Sequence, residues 1–410
     1  MITRIEIDGF KSFKDFVLDL RPFTVVIGTN AGGKSNLVEA LLFLSRLSGL
    51  PHADVHEAVD AVRGRTLMLF RQLGDGSRVE QMRFAVEMLL DFRPAYVFAG
   101  PGDGARMRYE VVIGFEGRRL KVLRQSITGI DPDEDRWFDL VGASEEWRAA
   151  LERATDAAPD SWDFTSVRAA DPLRNLRFLD LHDRSLREPS DAEGRDVLDP
   201  SGGGLAGYLA AIGQDQELDD VSGAAVLAAV RADLGMIVRD IVDFRVVEDQ
   251  ARRELWVEFT ARDQPPFPAD VASDGTLRAL ALLASIHDPR PWSGPLVLEE
   301  PENGLYPERF RDLLAAARAA TSDPAGDRPG DPLRQVVVTS HSPVVLDVVP
   351  SEAIVFLDAV QVVGPLGSQR VSRARRLLAP GERMVSGDIG HVVPARELAA
   401  FRAGRQGALS

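Results

Sequence analysis

The 410-residue chain predicts an α/β fold, with helices packed around a mixed or parallel core sheet, from three observations. A buried-strand pattern, Phe23-Thr24-Val25-Val26-Ile27, runs through Gly28-Thr29-Asn30-Ala31-Gly32-Gly33-Lys34-Ser35 into a helix pattern whose apolar face is Leu37, Val38, Leu41, Leu42 and Leu44. A second apolar run, Leu296 to Leu298, ends in Glu299-Glu300-Pro301-Glu302-Asn303-Gly304. A third, Gln335 to Thr339, ends in Ser340-His341-Ser342-Pro343. Apolar strands that alternate with helices and end in polar tips describe a sheet with a ligand edge at its carboxyl ends.

Residues 28 to 35 fit the phosphate-loop pattern G-x-x-x-x-G-K-[ST]. Gly28 and Gly33 let backbone N–H groups turn inward around phosphate oxygens, and the following helix adds the positive end of its dipole. Lys34 is placed to reach the β and γ phosphates, and the Ser35 hydroxyl to hold Mg²⁺. Gly49 and Pro51 stop the helix. The strand–loop–helix context separates this from a chance Gly-rich turn, so nucleotide binding is expected.

Composition narrows the function classes. Forty-five percent hydrophobic residues suffice for a substantial core, and no apolar run reaches the length of a membrane span. The start, Met1 to Ile7, alternates like a strand rather than reading as a signal peptide, and a cytoplasmic protein is the expectation. Zero cysteines exclude disulfides, thiolate metal sites and thiol nucleophiles. A net charge of −15 argues against a uniformly basic nucleic-acid binder, although Arg118-Arg119-Leu120-Lys121 and Arg373-Ala374-Arg375-Arg376 are locally dense. Each cluster reads more readily as a solvated face. Only Lys11, Lys14, Lys34 and Lys121 are lysines among 48 basic residues, which makes Lys34 at the loop position look specifically required.

Along the chain, strands are expected at Arg4 to Phe10, Phe16 to Leu20, Met82 to Asp91, Met107 to Phe115 and Arg119 to Ile127, the last two joined by a Glu116-Gly117 turn. Residues 1–130 thus form an N-terminal lobe with a β-rich subdomain. Residues 131–235 read as a compact, mainly helical insertion, with helical patches at Glu145 to Ala154 and Gly223 to Leu234 and no heptad pattern for a long coiled coil. Residues 236–365 form a C-terminal lobe with strands at Asp240 to Glu248, Glu254 to Arg262 and Ala353 to Asp358. Residues 366–410 read as an Arg-rich tail. Ahead of the helical run from Leu277, Ser273 or Asp274 is a candidate N-cap. The carboxylates after Leu298 suit Mg²⁺ support and water activation, and His341 would sit beside them if the two strands are neighbours. His52, His56, His182, His287 and His391 show no metal-binding spacing.

Taken together, these pieces resemble the ABC-type ATPases of the SMC and RecF-like branch, and best the short bacterial predicted ATPases often grouped with AAA proteins. Gly9-Phe10-Lys11-Ser12-Phe13 is similar to that group's opening motif, residues 28–35 to its Walker A loop and Ser273-Asp274-Gly275-Thr276 to its signature. Glu299 to Pro307 is similar to its Walker B and D-loop, and Thr339 to Pro343 to its switch. The resemblance spans about 1 to 345. Glu299 stands where Asp is usual and Tyr306 where His is frequent, and Gln72 and Gln81 are the candidates for a Q-loop glutamine.

The resemblance implies an ATPase head without a long coiled coil, using ATP and Mg²⁺. It implies nucleotide contacts from Lys11, Gly28, Asn30, Gly32, Gly33, Lys34, Ser35 and Asn36, with Mg²⁺ on Ser35 and Glu299. Glu300 would activate water and His341 would sense the γ-phosphate. Ser273 and Gly275 would act across a homodimer that closes on ATP. The 239 positions between Lys34 and Ser273 favour DNA repair, DNA transactions or antiphage defence, with a separate effector such as a nuclease and with duplex DNA as a possible partner. An ATP-dependent regulator of a protein effector without DNA binding is the alternative. A transporter subunit fits this gap less well, and no membrane partner is expected.

Overall fold

The first strand, β1 (Ile2–Asp8), buries Ile2, Ile5 and Ile7 and turns Arg4, Glu6 and Asp8 outward, the alternation of a half-buried strand. The computed structural model describes residues 1–48, 55–90, 106–130, 136–142, 172–193, 197–214, 222–288, 294–327, 333–379, 381–382, 384–388 and 390–404. The helical patch expected at Glu145 to Ala154 lies outside these residues.

After β1 come β2 (Phe16–Asp19), the fully buried β3 (Phe23–Gly28) and helix α1 (Lys34–Ser48). The lobe continues with β4 (Gln81–Leu89), β5 (Arg106–Glu116) and β6 (Arg119–Gly129), and the antiparallel order is β2-β1-β4-β5-β6. On the inner face Phe10, Phe84 and Phe43 of α1 pack with ring centroids 5.4–5.9 Å apart. On the outer face Arg108 bridges Glu6 at 2.7 Å and Glu87 at 2.9 Å, and its hydrogen bonds to Glu6 hold that carboxyl down to about 2.

The central sheet takes β7 (Arg177–Leu179) at one edge. Next in the chain come β8 (Ser190–Asp191), helices α2 (Leu205–Gln214) and α3 (Gly223–Ile237), and the strands β9 (Ile241–Asp249), β10 (Glu254–Ala261) and β11 (Phe267–Pro268). Strands β8 to β11 form a small separate sheet. Helix α4 (Asp274–His287) packs on α3, and β12 (Leu296–Glu299), helix α5 (Pro307–Ala319) and β13 (Val336–Ser340) follow. The last elements are β14 (Ile354–Gly364), β15 (Gly367–Arg376) and helix α6 (Ala395–Arg402). The central order is β15-β14-β3-β13-β12-β7, with only the β14–β15 pair antiparallel. Because β3, β13, β12 and β7 run parallel, all four finish at one edge.

This architecture is the α/β head expected from the sequence, with a β-rich N-terminal lobe and, among the described residues, no long coiled coil. Its divisions differ in two places. The boundary expected at 235 falls inside the last turn of α3, and β7, from within the expected insertion, is part of the central sheet. The segment from 366 is no tail. Residues 367–376 are a sheet strand, and Phe401 of α6 sits edge-on to Phe356 at 5.7 Å. The Arg373 to Arg376 cluster is accordingly neutralised. Arg373 and Arg375 pair with Asp358 at 2.8 and 2.9 Å, Arg375 also with Glu397, and Arg376 with Glu382 and Asp388. Among the described residues no helix is long and apolar enough to cross a membrane.

One buried side chain ties the N-terminal lobe to the central sheet. Gln335, 1% exposed, accepts from the Ile2 N–H at 2.8 Å and donates to the carbonyls of Ile2 at 2.6 Å and Arg21 at 3.1 Å. Gln335→Leu removes all three bonds and is expected to cost about 3 kcal/mol of stability. Chemical denaturation checks this, and an unchanged midpoint would show that the tie contributes nothing.

Candidate functional site

The loop between β3 and α1 is shaped by what lies behind it. Gly28 and Gly33 have φ of 152° and 111°, and a Cβ on them would collide with the Leu357 carbonyl and the Ser372 hydroxyl respectively. Both obstacles come from β14 and β15. Gly32 is also buried, while Asn30 and Ala31 lie at the crown of the loop, both exposed. Lys34 is 6% exposed and donates to the loop's own carbonyls, Gly28 at 2.9 Å and Thr29 at 3.1 Å. Burial lowers its ammonium to about 8, against the opposing pull of Glu300 and Glu302. The Ser35 hydroxyl donates to Glu299 at 2.9 Å.

Parallel register brings the acids to the loop. Glu299, the last residue of β12, lies opposite Thr339, and Ser340 lies opposite Ile27 of β3. The Glu299 carboxyl is raised, first by burial and then by its acidic neighbours Asp180 and Glu300, while Ser35 pulls the other way. Glu300 sits in the left-handed region at φ 46°, an outlier for a non-glycine residue. Its N–H donates to the Thr339 carbonyl at 3.0 Å, and its carboxylate lies 2.5 Å from His341 Nε2. Asn303 donates to the other carboxylate oxygen at 3.2 Å.

Glu302, missed in the sequence reading, organises the switch. Its Oε1 accepts from the Ser340 hydroxyl at 2.7 Å, the His341 N–H at 2.6 Å and the Ser342 N–H at 3.2 Å. Burial raises its pKa, and its buried Oε2 has no partner among the described residues. The signal was present as the third acid of Glu299-Glu300-Pro301-Glu302, but strand-end acids offered no means of telling a surface carboxylate from a buried one.

Two of the expected nucleotide contacts have structural partners of their own. Lys11 pairs with Glu39 and donates to the Arg63 carbonyl at 3.1 Å, with burial lowering it to about 8. Asn36 donates to Ser12 at 2.7 Å, and Ser12 in turn bonds Ser372 at 2.7 Å. Both still line, with Ala31, Gln72 and Arg370, a cavity of about 690 Å³ beside the loop. Gln81 is exposed at the start of β4. The residue that follows β7 beside Glu299 is an acid, Asp180, whose carboxylate lies 3.6 Å from Arg63. Three residues of strand give no periodicity to read, so this neighbour left no signal.

The signature segment starts a helix at the surface. Ser273 caps α4, its Oγ accepting from the Thr276 N–H at 3.2 Å and meeting the Thr276 hydroxyl at 2.7 Å. Gly275 is required by packing, because a Cβ there would lie 2.6 Å from the Gly304 carbonyl of the acidic turn. Val271, two residues before Ser273, and Tyr306, which follows the acidic turn in the chain, are exposed.

Residues 23–347 match the model of a family described as "AAA domain, putative AbiEii toxin, Type IV TA system". The chain is similar to the DNA replication and repair protein RecF of Mesorhizobium japonicum, 27% identical over 349 residues, covering 83% of this chain and 72% of that protein. A local match to the chromosome partition protein Smc of Methanocaldococcus jannaschii is 48% identical over 44 residues, 10% of this chain and 4% of Smc. Among solved structures, an Smc head bound to the C-winged helix domain of ScpA superposes with a TM-score of 0.51 at 15% identity, over 90% of this chain and 97% of that chain. That likeness concerns the fold.

The depressed Lys34 makes anion binding pH-dependent. The free loop sheds its cation as pH rises through about 8, whereas a bound polyphosphate restores the proton, so affinity falls toward alkaline pH. For folding the sign reverses. Between about 8 and 10.5 the unfolded chain keeps a proton that the folded chain has lost, so stability from this group rises with pH across that window. Calorimetric titration of ATP at about pH 7.5 and about pH 9.5 reads the affinity term, and equal affinities would mean that Lys34 stays charged throughout.

Proposed function

The chain belongs to the AAA-domain family described as putative AbiEii toxin, Type IV TA system, within the SMC/RecF-like ABC-type ATPases, and we propose that it is an ATP-hydrolysing dimeric switch. The observation that carries this reading is the 2.5 Å approach of Glu300 to His341, at the sheet edge where Lys34 and Ser35 also lie. In this reading Lys34 leaves the Gly28 and Thr29 carbonyls for phosphate oxygens, and the N–H groups of residues 28–35 close around them. Glu300 orients the attacking water and accepts its proton, while His341 reads the γ-phosphate and Glu302 holds the His341 backbone in place.

Mg²⁺ fits the donor set, because Ser35 and Glu299 are hard oxygen ligands already joined at 2.9 Å. When bound it supplies charge that neutralises the β and γ oxygens. Glu299, longer by a methylene than the usual Asp, suits contact through water.

Ser273 and Gly275 contact the γ-phosphate held by a second protomer, with the α4 N-terminus directed at that charge. The exposed Ser273 turn, with exposed Val271 two residues before it, supports such a surface. ATP then favours the closed dimer, and hydrolysis removes the shared contacts and reopens it.

The RecF relative, a DNA replication and repair protein, supports a DNA-linked task, and the family description, which names a putative toxin of a type IV TA system, is compatible with a role beside an effector. A second reading, control of a protein effector without DNA, is favoured by the ion-paired Arg373, Arg375 and Arg376.

Lys34→Ala is expected to weaken ATP binding by about 100-fold, and normal affinity would remove the loop assignment. Glu300→Gln should retain ATP, lower turnover by about a hundred- to ten-thousand-fold and accumulate a dimer in light scattering. Undiminished turnover would take the water-activating role from Glu300. Binding of the Glu300→Gln protein to duplex DNA, with and without ATP and Mg²⁺ at physiological salt, separates the two outputs. ATP-dependent retention supports the DNA-linked task, and a trapped dimer that ignores DNA supports the protein effector.

A further inference from the structure

Arg187 ends a short helix, Asp183–Arg187, and its guanidinium gathers four acceptors from the chain that leads into α4. Nη1 donates to the carbonyls of Ala269 at 2.8 Å, Asp270 at 3.1 Å and Ala272 at 2.9 Å, and Nη2 pairs with the Asp274 carboxylate. Those residues bracket Ser273. At the other end of the same short helix Asp183 accepts from Arg278 Nε at 2.7 Å, one turn into α4. The short helix is therefore pinned to α4 at both ends. It also follows closely on β7, whose Leu179 pairs with Leu298. The run from Leu179 to Arg187 thus reaches from beside Glu299 to the start of α4.

Helix stability does not account for this contact. A cation beside a helix N-terminus opposes the helix dipole, and only the convergent carbonyls and Asp274 offset that cost. Arg suits the task, because its planar fork can meet several acceptors at fixed angles where lysine offers a single point charge. What the contact does fix is the direction of the turn that carries the exposed Ser273.

We propose that Arg187 is the positioning residue for this turn, holding Ser273 and the α4 N-terminus at the angle required to receive the γ-phosphate of a second protomer. The inference rests on the trans reading above. Arg187 acts on the partner's nucleotide and not on its own, so its loss spares ATP binding by the monomer and raises the protein concentration needed for ATP-dependent dimerisation and turnover, by about tenfold or more.

Mixing inactive variants separates these possibilities. Arg187→Ala is combined with Lys34→Ala, and Ser273→Arg is combined with Lys34→Ala in parallel. In each mixed dimer one composite site has both an intact loop and an intact signature, so about half the wild-type turnover per dimer is expected to return. Arg187→Ala that binds ATP normally, turns over poorly alone and recovers in the mixture supports the proposal. Wild-type turnover of Arg187→Ala alone, weakened monomer binding, or recovery confined to the Ser273→Arg mixture would overturn it. Recovery in neither mixture would remove the trans reading, and the assignment with it. If Arg187→Ala does not fold, Arg187→Lys, which keeps the charge but loses the fork, is used in the same mixtures.

Discussion

Glu299, Glu300 and His341 meet Lys34 and Ser35 because β3, β13 and β12 run parallel and in register to a common edge. A parallel ladder makes every strand end a neighbour of the next, so residues 264 positions apart share one hydrogen bond, Ser35 to Glu299. The apolar character of these strands follows from the same arrangement. Val25, Val297 and Val337 are buried in a sheet covered on both faces, which is why the strands read as continuous hydrophobic runs rather than alternating ones.

The loop itself depends on elements far from it in sequence. Leu357 and Ser372 press against Gly28 and Gly33, and Ser372 also joins Ser12 and Asn36 into one chain of hydrogen bonds. The opening motif, the loop and the β14–β15 hairpin therefore form one support. Asn36, next to Ser35, is the member of this chain that comes from α1.

Electrostatics at the edge are set by burial as much as by pairing. Lys34 is lowered and Glu299 and Glu302 are raised, each with burial as the leading cause. A cation and several acids are thus held short of full mutual satisfaction, with Glu302 Oε2 and Thr339 Oγ1 unpartnered among the described residues. Perturbed groups of this kind, gathered at one sheet edge, are the electrostatic basis of the proposed nucleotide site.

Local pattern was enough for the strand–loop–helix unit, for the acidic and switch strand ends and for the overall α/β class. Each of these is encoded within a short contiguous segment by periodicity, glycine placement and capping. The burial of Glu302, the position of Asp180 beside Glu299 and the Arg187 contact had no such local code. Nor did the strand that turned Arg373, Arg375 and Arg376 from an expected basic tail into ion-paired residues. The sequence by itself determined which segments carry phosphate-loop and acidic chemistry, because local backbone preference and hydrophobic period suffice for that. Which side chains face one another across the edge was decided only by the tertiary structure, since strand order and register join residues whose separation leaves no trace in local pattern.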